Sequence, residues 1–250
     1  MNEKLVSIII PTYNCGEFIE ETLNSVINQS YKNWEAIVID DCSIDNTKTL
    51  VTKYTLQDSR IKYYRLKENR GAAFARNTGI KMAEGGFIAF LDSDDLWNER
   101  KLELQIEYMI KNNKAFCCTS YNKINEKSKD LNKVIVSQEK MLYKDLLKHC
   151  PGNSTVVYNK DKLGKFYIDN IKKRNDYLMW LNIIKKSKEL CGIPQVLASH
   201  RIRENSISSN KFSLVKYHYK IYTKYENLGI VKSLILCNFW VFKSLLGRIK

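Results

Sequence analysis

Acidic side chains follow two apolar segments in the first part of the chain. The pair Asp40-Asp41 ends one apolar run, and the sequence Asp92-Ser93-Asp94-Asp95 ends another. An Asp-x-Asp sequence provides hard oxygen ligands of the kind that Mg²⁺ and Mn²⁺ prefer, and a cation held in this way can bridge to phosphate oxygens. The pattern therefore predicts a divalent-cation site for a ligand that carries phosphate.

These carboxylates also have a purely structural interpretation. Asp94 or Asp95 could cap a helix that begins near Leu96, with Glu99 completing the capping arrangement. Helix caps are common, so this interpretation would suffice for a single aspartate. Because acidic residues follow two strand-like segments rather than one, we favour the cation site.

Strand-like and helix-like segments alternate through the first half of the chain. Unbroken apolar runs are typical of strands buried on both faces, and apolar residues at helical spacing indicate the helices between them. We expect strands at Leu5–Ile10, Ala36–Ile39, Ile61–Leu66, Phe87–Leu91 and Ala115–Ser120, and helices at Glu17–Gln29, Ser43–Leu56 (capped by Ser43 or Asp45), Ala72–Ala83 and Glu99–Asn112. This alternation predicts an α/β fold with a mostly parallel central sheet flanked by helices. Ligands of such sheets bind beyond the carboxyl ends of the strands, where the acidic residues lie.

The pattern is looser in the second half. We expect a polar loop at Asn122–Lys133, a short helix at Lys140–Lys148, a strand at Ser154–Tyr158, a helix at Asp176–Lys188, a strand at Cys191–Ile202, and a helical, aromatic and basic tail from Lys211. The sequence thus predicts a catalytic domain over residues 1–210, followed by a tail over residues 211–250.

Composition narrows the class of protein. The 250 residues are 44% hydrophobic, which excludes disordered and low-complexity classes, and the net charge of +14 suggests an anionic partner: nucleic acid, an acidic membrane surface or a phosphorylated substrate. Neither GxGxxG nor GxxxxGK[ST] occurs, unlike in dinucleotide and P-loop enzymes. The seven scattered cysteines form no CxxC pair, so we expect a reducing cytosol rather than a zinc site or a disulfide scaffold. We expect neither a signal peptide nor a bilayer-spanning segment.

Four segments, taken together, resemble the motifs of family-2 inverting glycosyltransferases with the GT-A fold, the bacterial enzymes that build surface polysaccharides. The segments are Ser7–Asn14, Val38–Thr47, Asn69–Gly79 and Phe90–Asp95, in this order and spacing. The resemblance is dense over the first 120 residues and thinner to about residue 210. It implies a nucleotide-sugar-binding half over residues 1–120 and an acceptor half over residues 121–210.

The resemblance also implies roles for the residues that match on the donor side. Pro11 and Tyr13 would line the base pocket, and Asp41 would accept a hydrogen bond from the uracil ring or its ribose. Arg76 would close the nucleotide side, and Asp92 would contact ribose or sugar hydroxyls. Two alternatives stay open: Tyr13 could be a core aromatic residue, and Arg76 could only support the acidic residues electrostatically.

The cation would lie on Asp94, with Asp92 as a second ligand, and the implied cofactor is Mn²⁺ or Mg²⁺. The family often carries Arg-x-His-x-x-Ser, whose His can complete the metal shell, but the segment Arg201–Ser206 has Arg203 in that place. A guanidinium cannot bind a cation but can hold a diphosphate bidentately, so we expect Arg203 to bind the donor. His200 lies off register, and a core or surface role is predicted for it.

The general base is expected in the segment Asn175–Leu181, which resembles the family's Glu-Asp-x-x-x-Trp-Leu context. Asp176 would take the proton of the acceptor hydroxyl as that hydroxyl attacks the anomeric carbon. The alternative is that Asp176 only caps a helix. Asn175 stands where the family has Glu, and we expect Trp180 to anchor the core.

The tail interleaves lysine with aromatic and apolar residues. The segment Gly229–Ile249 is apolar apart from a few basic and polar residues, which is typical of an interfacial membrane helix with Trp240 and Phe242 near the headgroups. Packing of this helix on the catalytic domain is the alternative. Since no RNA- or DNA-binding signature occurs, we expect anionic lipid rather than nucleic acid as the partner.

The sequence therefore predicts a sugar transferase that acts with inversion. The donor would be a nucleotide sugar, with UDP as its nucleotide, and the acceptor a lipid-linked glycan or an oligosaccharide used to build cell-surface polysaccharide. We expect a cytoplasmic protein, peripheral on the inner face of the membrane. The alternatives are a non-catalytic nucleotide-sugar-binding module of the same fold and a basic nucleic-acid-binding protein.

Overall fold

The structure is a computed structural model that describes residues 4–169, 171, 173–203 and 211–246. The strands are β1 (Val6–Thr12), β2 (Trp34–Asp40), β3 (Ile61–Arg65), β4 (Phe87–Phe90), β5 (Leu96–Trp97), β6 (Phe116–Ile124), β7 (Asp130–Ile135), β8 (Lys140–Met141), β9 (Val157–Asn159) and β10 (Leu190–Arg201). The helices are α1 (Ile19–Ile27), α2 (Thr47–Gln57), α3 (Ala72–Met82), α4 (Lys101–Lys111), α5 (Tyr143–Leu146), α6 (Lys160–Leu163), α7 (Asn175–Ser187), α8 (Lys211–Lys220) and α9 (Ile230–Leu246), with a 3₁₀ turn at Asn153–Thr155 and a π-helical segment at Ile221–Tyr225.

The described strands form one mixed sheet in the order β3-β2-β1-β4-β9-β6-β10-β5, to which β7 is added beside β6 and β8 beside β10. Pairing is parallel through β3, β2, β1 and β4 and again between β6 and β10. The remaining pairs, including both pairs of β9, are antiparallel. The predicted α/β fold with a central sheet flanked by helices is confirmed, and the parallel part is the half that carries the acidic residues.

The sheet separates two hydrophobic cores. Side chains along a strand alternate between its two faces, and β1 and β2 are buried along their whole length because a core covers each face. Ile9 and Ile37 join the core under α3 and α7, whereas Ile8 and Val38 join the core under α1 and α4. Burial of one such side chain stabilises the fold by about 1.5–3 kcal/mol, which explains why most residues of these strands are apolar. Trp180 of α7 is fully buried, which confirms it as a core anchor.

Helix α2 begins later than predicted. We expected a start at Ser43, but the helix starts at Thr47, and Ser43 is not its cap. The hydroxyl of Ser43 instead accepts the backbone N–H of Asn14 at 2.9 Å, and its own N–H donates to Asp40 at 2.8 Å. The residues between β2 and α2 are thus held against the loop that follows β1.

We expected a polar loop over Asn122–Lys133, but part of this segment forms strands. Strand β6 continues to Ile124, and β7 pairs with it in antiparallel orientation. Most side chains of β7 are exposed, since this strand lies at an edge of the sheet. An exposed edge strand buries no apolar face, so the alternation that identifies strands is missing from its sequence.

The tail packs on the preceding part of the chain. The hydroxyl of Tyr222 and the indole N–H of Trp240 both donate to the carbonyl oxygen of Leu147, at 2.6 and 3.1 Å. Leu236 is buried in the same core as α7. The packing alternative therefore holds for one face of the tail. No helix among the described residues is long and apolar enough to cross a membrane. The predicted domain boundary at residue 210 lies outside the described residues.

Candidate active site

The acidic residues of both motifs emerge at one edge of the sheet. Strand β1 lies between β2 and β4 and is parallel to both, with Thr12 beside Asp40 and Ile9 beside Phe90. Neighbouring strands are about 4.8 Å apart, so the two carboxyl ends are separated by a single strand. The loops after β1, β2 and β4 therefore border the same cleft.

The loop after β1 presents an aromatic side chain. Tyr13 is 46% exposed, so the interpretation of this residue as a core aromatic is wrong. Pro11 is buried within β1. Asn14 ties the loop to its neighbour because its side-chain oxygen accepts the N–H of Ile44 at 2.9 Å. Tyr13 is thus held at the edge with its ring open to a ligand.

Asp41 holds the start of α3. Its two carboxylate oxygens accept the backbone N–H groups of Arg70 and Gly71, each at 2.7 Å, and the side chain is almost fully buried. Gly71 has φ +85°, a conformation that favours glycine at this turn. Each oxygen keeps a second lone pair, so Asp41 can position the loop and still accept a ligand N–H or O–H. Its neighbour Asp40 is buried and bonded to Tyr63 instead.

Asp92 is bound by two side chains from distant parts of the chain. Arg76 donates to it at 2.7 Å and Asn153 at 2.8 Å. Burial lowers the pKa of Arg76, but the Asp92 and Asp176 carboxylates outweigh it and raise that pKa above its ordinary value. Arg76 therefore supports the Asp92 carboxylate electrostatically, as the alternative interpretation proposed. About a quarter of the Asp92 side chain (28%) stays exposed.

Asp94 forms an ion pair with Arg203, at 2.8 Å between a carboxylate oxygen and Nε. Burial and the neighbouring Asp95 carboxylate raise the pKa of Asp94 to about 6, although Arg203 acts against them. Arg203 also lines an open cavity of about 500 Å³, together with Asn14, Glu17, Phe18, Asp45, Asn46 and Glu126. The residue predicted to bind the diphosphate thus lies against the predicted metal ligand.

Asp95 stabilises the structure of the site and is not a helix cap. It is buried and accepts from Ser154 at 2.5 Å and from the N–H of Arg201 at 2.9 Å. The alternative interpretation, a helix that begins near Leu96, is wrong, since β5 occupies that position and α4 begins at Lys101. Asp95 therefore fastens β10 to the acidic turn.

His200 lies beside the same carboxylate. Its Nδ1 is 3.3 Å from Asp95, and this carboxylate raises the pKa of His200 to about 9. The imidazole is thus part of the support of the acidic turn. The sequence analysis missed the roles of Asn153 and Ser154, whose signal is the short polar run Asn153–Thr155 shortly before β9.

Asp176 lies in the first turn of α7, behind an unusual backbone turn. Arg174 precedes the helix with φ +61°, and Asn175 accepts a hydrogen bond from Arg76 at 3.1 Å. Arg76 thereby joins Asp92 to the helix that carries Asp176. Within the part of the chain that the structure describes, the Asp176 carboxylate makes no hydrogen bond or ion pair, so it is not a helix cap.

The residues at the acidic turn suit a divalent cation. Among the described residues, no group of three His, Cys, Asp or Glu side chains is arranged around one point. Mg²⁺ and Mn²⁺ sites of nucleotide enzymes are, however, commonly built from one or two carboxylates completed by phosphate oxygens and water. Burial is the largest cause of the raised pKa of Asp94, and the neighbouring Asp95 and Asp92 carboxylates add to it; a cation bound here would offset the negative charge of these carboxylates. Segment 204–206 of the Arg-x-His-like motif lies outside the described residues.

Known proteins are similar to this chain in sequence and in fold. Residues 7–170 match the family described as Glycosyl transferase family 2. The chain is 40% identical over 230 residues to a putative teichuronic acid biosynthesis glycosyltransferase, TuaG, of Bacillus subtilis, which covers 92% of this chain and 91% of the relative. It is also 40% identical over 245 residues to the UDP-Glc:alpha-D-GlcNAc-diphosphoundecaprenol beta-1,3-glucosyltransferase WfgD of Escherichia coli, over 96% and 94% of the two chains.

Solved structures with low sequence identity share the architecture. TarS of S. aureus in complex with UDP superposes with a TM-score of 0.69 and 22% identity, over 88% of this chain and 65% of TarS residues 1–349. The mannosyltransferase PcManGT of Pyrobaculum calidifontis, in complex with GDP-Man and Mn²⁺, gives a TM-score of 0.67 and 18% identity, over 90% and 65% of the two chains. This chain therefore spans about two thirds of these neighbours, and it has their fold.

Proposed function

Because this chain belongs to glycosyl transferase family 2, we propose that it transfers a hexose or an N-acetylhexosamine from a UDP-sugar to a hydroxyl of a lipid-linked acceptor, with inversion. It is a glycosyltransferase of the type that builds surface polysaccharide. The observation that carries the proposal is the chain of contacts from Asp92 through Arg76 to Asn175, which joins the donor edge of the sheet to the helix of Asp176.

The donor side would use the three loops that border the cleft. Tyr13 offers an exposed ring for stacking on the base, and Pro11, which is buried within β1, would line the base pocket with it. Asp41 would accept from the uracil ring or the ribose with its free lone pairs. Asp92 would contact sugar or ribose hydroxyls with the part of its carboxylate that stays exposed. The choice of UDP as the nucleotide is supported by WfgD, whose name gives UDP-Glc as its donor.

Asp94 would hold Mn²⁺ or Mg²⁺, with Asp92 as the second ligand. When bound, such a cation neutralises the negative charge that develops on the departing UDP. The guanidinium of Arg203, now paired with Asp94, would then be free to hold a diphosphate oxygen pair in a bidentate way. The chain thus supplies one positive group at the diphosphate itself, in the place where the family often has His.

Asp176 would accept the proton of the attacking hydroxyl. A carboxylate in the first turn of a helix is stabilised by the helix dipole, and this one makes no hydrogen bond or ion pair within the described region. One base suffices for inversion, because the acceptor oxygen replaces UDP in a single displacement. The partner in that step is a lipid-linked glycan or an oligosaccharide, and we propose that the enzyme works at the cytoplasmic face of the membrane, peripherally and on anionic lipid. No role for nucleic acid is proposed.

A donor screen tests the proposal. UDP-Glc, UDP-Gal, UDP-GlcNAc and GDP-Man are each added with Mn²⁺, and the melting temperature is measured, since a ligand of the folded state raises it. We expect at least one UDP-sugar to stabilise the protein more than GDP-Man does. A protein that no nucleotide sugar stabilises would contradict the proposal. For a donor that binds, the anomeric configuration of the product by NMR tests inversion.

A further inference from the structure

Three basic side chains lie together where the tail packs on the preceding part of the chain. Arg174 and Lys243 each approach the ring of Trp240, with their charged groups 5.5 Å from its centroid. Nζ of Lys243 also lies 3.4 Å from the carbonyl oxygen of Lys148, whose own Nζ is 5.8 Å from the Phe239 ring. We name Lys148, Arg174 and Lys243 the basic cluster.

The basic cluster is not neutralised by the protein. Within the described ranges, none of its three cations lies within 4.0 Å of a carboxylate. Nε of Arg174 is buried and lacks a hydrogen-bond partner among those residues. Arg174 also has a left-handed backbone at φ +61°, a conformation that costs energy and is retained mostly where a side chain must be aimed. A buried donor without a partner, beside cations that no carboxylate in those ranges neutralises, is suited to an anion.

Arg174 of the basic cluster directly precedes α7, two residues before the proposed base Asp176. Burial raises the pKa of the Cys150 thiol to about 12, the nearby Asp176 carboxylate adds to this rise, and Arg174 and Lys243 oppose it. The charges of Asp176, Arg174 and Lys243 therefore all act on the Cys150 thiol. Arg203, the residue proposed for the donor diphosphate, is paired with Asp94 and is not a member of the basic cluster.

An apolar surface leads to the basic cluster. The outward face of α9 exposes six large apolar side chains, each between 39% and 73% exposed: Ile230, Val231, Leu234, Ile235, Phe239 and Phe242. Phe239 is the member that contacts Lys148. Helix α9 contains no acidic residue. We name this face the α9 stripe.

We propose that the basic cluster binds the diphosphate of an isoprenoid-diphosphate-linked acceptor, while the α9 stripe lies against its hydrocarbon chain. The inference rests on the proposed function and names the acceptor's chemistry. A diphosphate needs several cations at once, and an arginine fork with two lysines provides them beside the base. The isoprenoid chain needs an open apolar surface continuous with those cations, which α9 offers. The sugar nearest the diphosphate is thereby brought to Asp176.

Isothermal titration calorimetry tests this site without knowledge of the acceptor sugar. The full chain is saturated with UDP and Mn²⁺, so that the donor site is filled, and is titrated with farnesyl diphosphate or with farnesol in the same nonionic detergent. We expect farnesyl diphosphate to bind at least about tenfold more tightly than farnesol. The double variant Lys148→Gln/Lys243→Gln should weaken farnesyl diphosphate binding at least about tenfold. Lys232→Gln, on the same helix and also exposed, should leave the Kd unchanged.

Three results would overturn the inference. The first is wild-type protein that binds UDP but not farnesyl diphosphate. The second is a double variant whose Kd for farnesyl diphosphate equals that of the wild type. The third is an equal loss in Lys232→Gln, which would indicate general attraction of an anion to a basic surface. Failure to bind UDP would instead count against the proposed function, so the two failures are distinguishable. Unchanged UDP affinity in each variant shows that it is folded.

Discussion

The guanidinium of Arg76 lies 3.1 Å from the side-chain oxygen of Asn175, a residue 99 positions further along the chain. Its other terminal nitrogen lies 2.7 Å from Asp92. One buried side chain thus spans the acidic turn after β4 and the first residue of α7. The family's acidic residue before the base is Asn175 here, and a neutral amide suffices to accept from Arg76.

Arg76→Met should destabilise the protein. The variant keeps most of the side-chain volume but leaves Asp92 and Asn175 without a buried donor, so we expect a loss of about 2–3 kcal/mol in the free energy of unfolding. Urea denaturation measures it. The control Arg100→Met removes an exposed ion pair with Glu103 and should cost under about 1 kcal/mol. Equal losses in both variants would show that Arg76 is no bridge.

Asp176→Asn should abolish transfer while sparing the donor site. An amide cannot take the acceptor's proton, and general-base catalysis is worth about 10²–10⁴-fold, so we expect kcat to fall by that factor. The Kd for UDP should stay unchanged. Asp161→Asn, a change at a half-exposed carboxylate away from the cleft, is the matched control and should retain full turnover. Undiminished turnover in Asp176→Asn would refute the assignment and favour a binding module.

Asp41→Asn should weaken UDP binding through the loop it holds. The amide NH₂ group would face one of the two backbone N–H groups that the carboxylate now accepts, so the start of α3 should loosen. We expect the Kd for UDP to rise about tenfold and the free energy of unfolding to fall by about 1–3 kcal/mol. Calorimetry with UDP and urea denaturation measure the two effects. A variant with wild-type values for both would contradict this role.

Lys101 should make stability depend on pH. This fully buried side chain donates to Gln105 at 2.8 Å, and burial lowers its pKa from 10.5 to about 7. Between those values the unfolded chain binds a proton that the folded protein does not, so the free energy of unfolding rises with pH. The raised pKa of His200 acts in the opposite direction over this range and does so in both proteins, so urea denaturation at pH 7 and about pH 9.5 should show a more positive change in the free energy of unfolding for the wild type than for Lys101→Met. Equal changes in both proteins would exclude Lys101 as the cause.

The sequence predicts the parallel half of the sheet well because its strands are buried on both faces. Every residue of β1 is buried, and most of them are apolar, so the strand is recognisable in the sequence as an almost unbroken apolar run. The exposed strand β7 offers no such signal. The late start of α2 also escapes prediction, because Ser43 is a good cap by type but is used instead by the backbone of Asn14.

The sequence also predicts which edge of the sheet holds the site, since parallel strands place Asp41 and Asp92 at the same end. It does not predict the pairs that tie the site together. Arg76 with Asn175 and Arg203 with Asp94 join segments whose proximity depends on how β10 and α7 pack on the first half. The roles of Asp41, Asp94, Asp176 and Arg203 in binding and catalysis stay predictions.

Calorimetry of UDP binding with Mn²⁺ and with EDTA tests the central claim, that the carboxylates at this edge hold a cation that holds the diphosphate. We predict that Mn²⁺ tightens UDP binding to the wild type by at least about tenfold and that Asp94→Asn removes this gain. Equal UDP affinity with Mn²⁺ and with EDTA in the wild type, or an undiminished Mn²⁺ gain in Asp94→Asn, would contradict it.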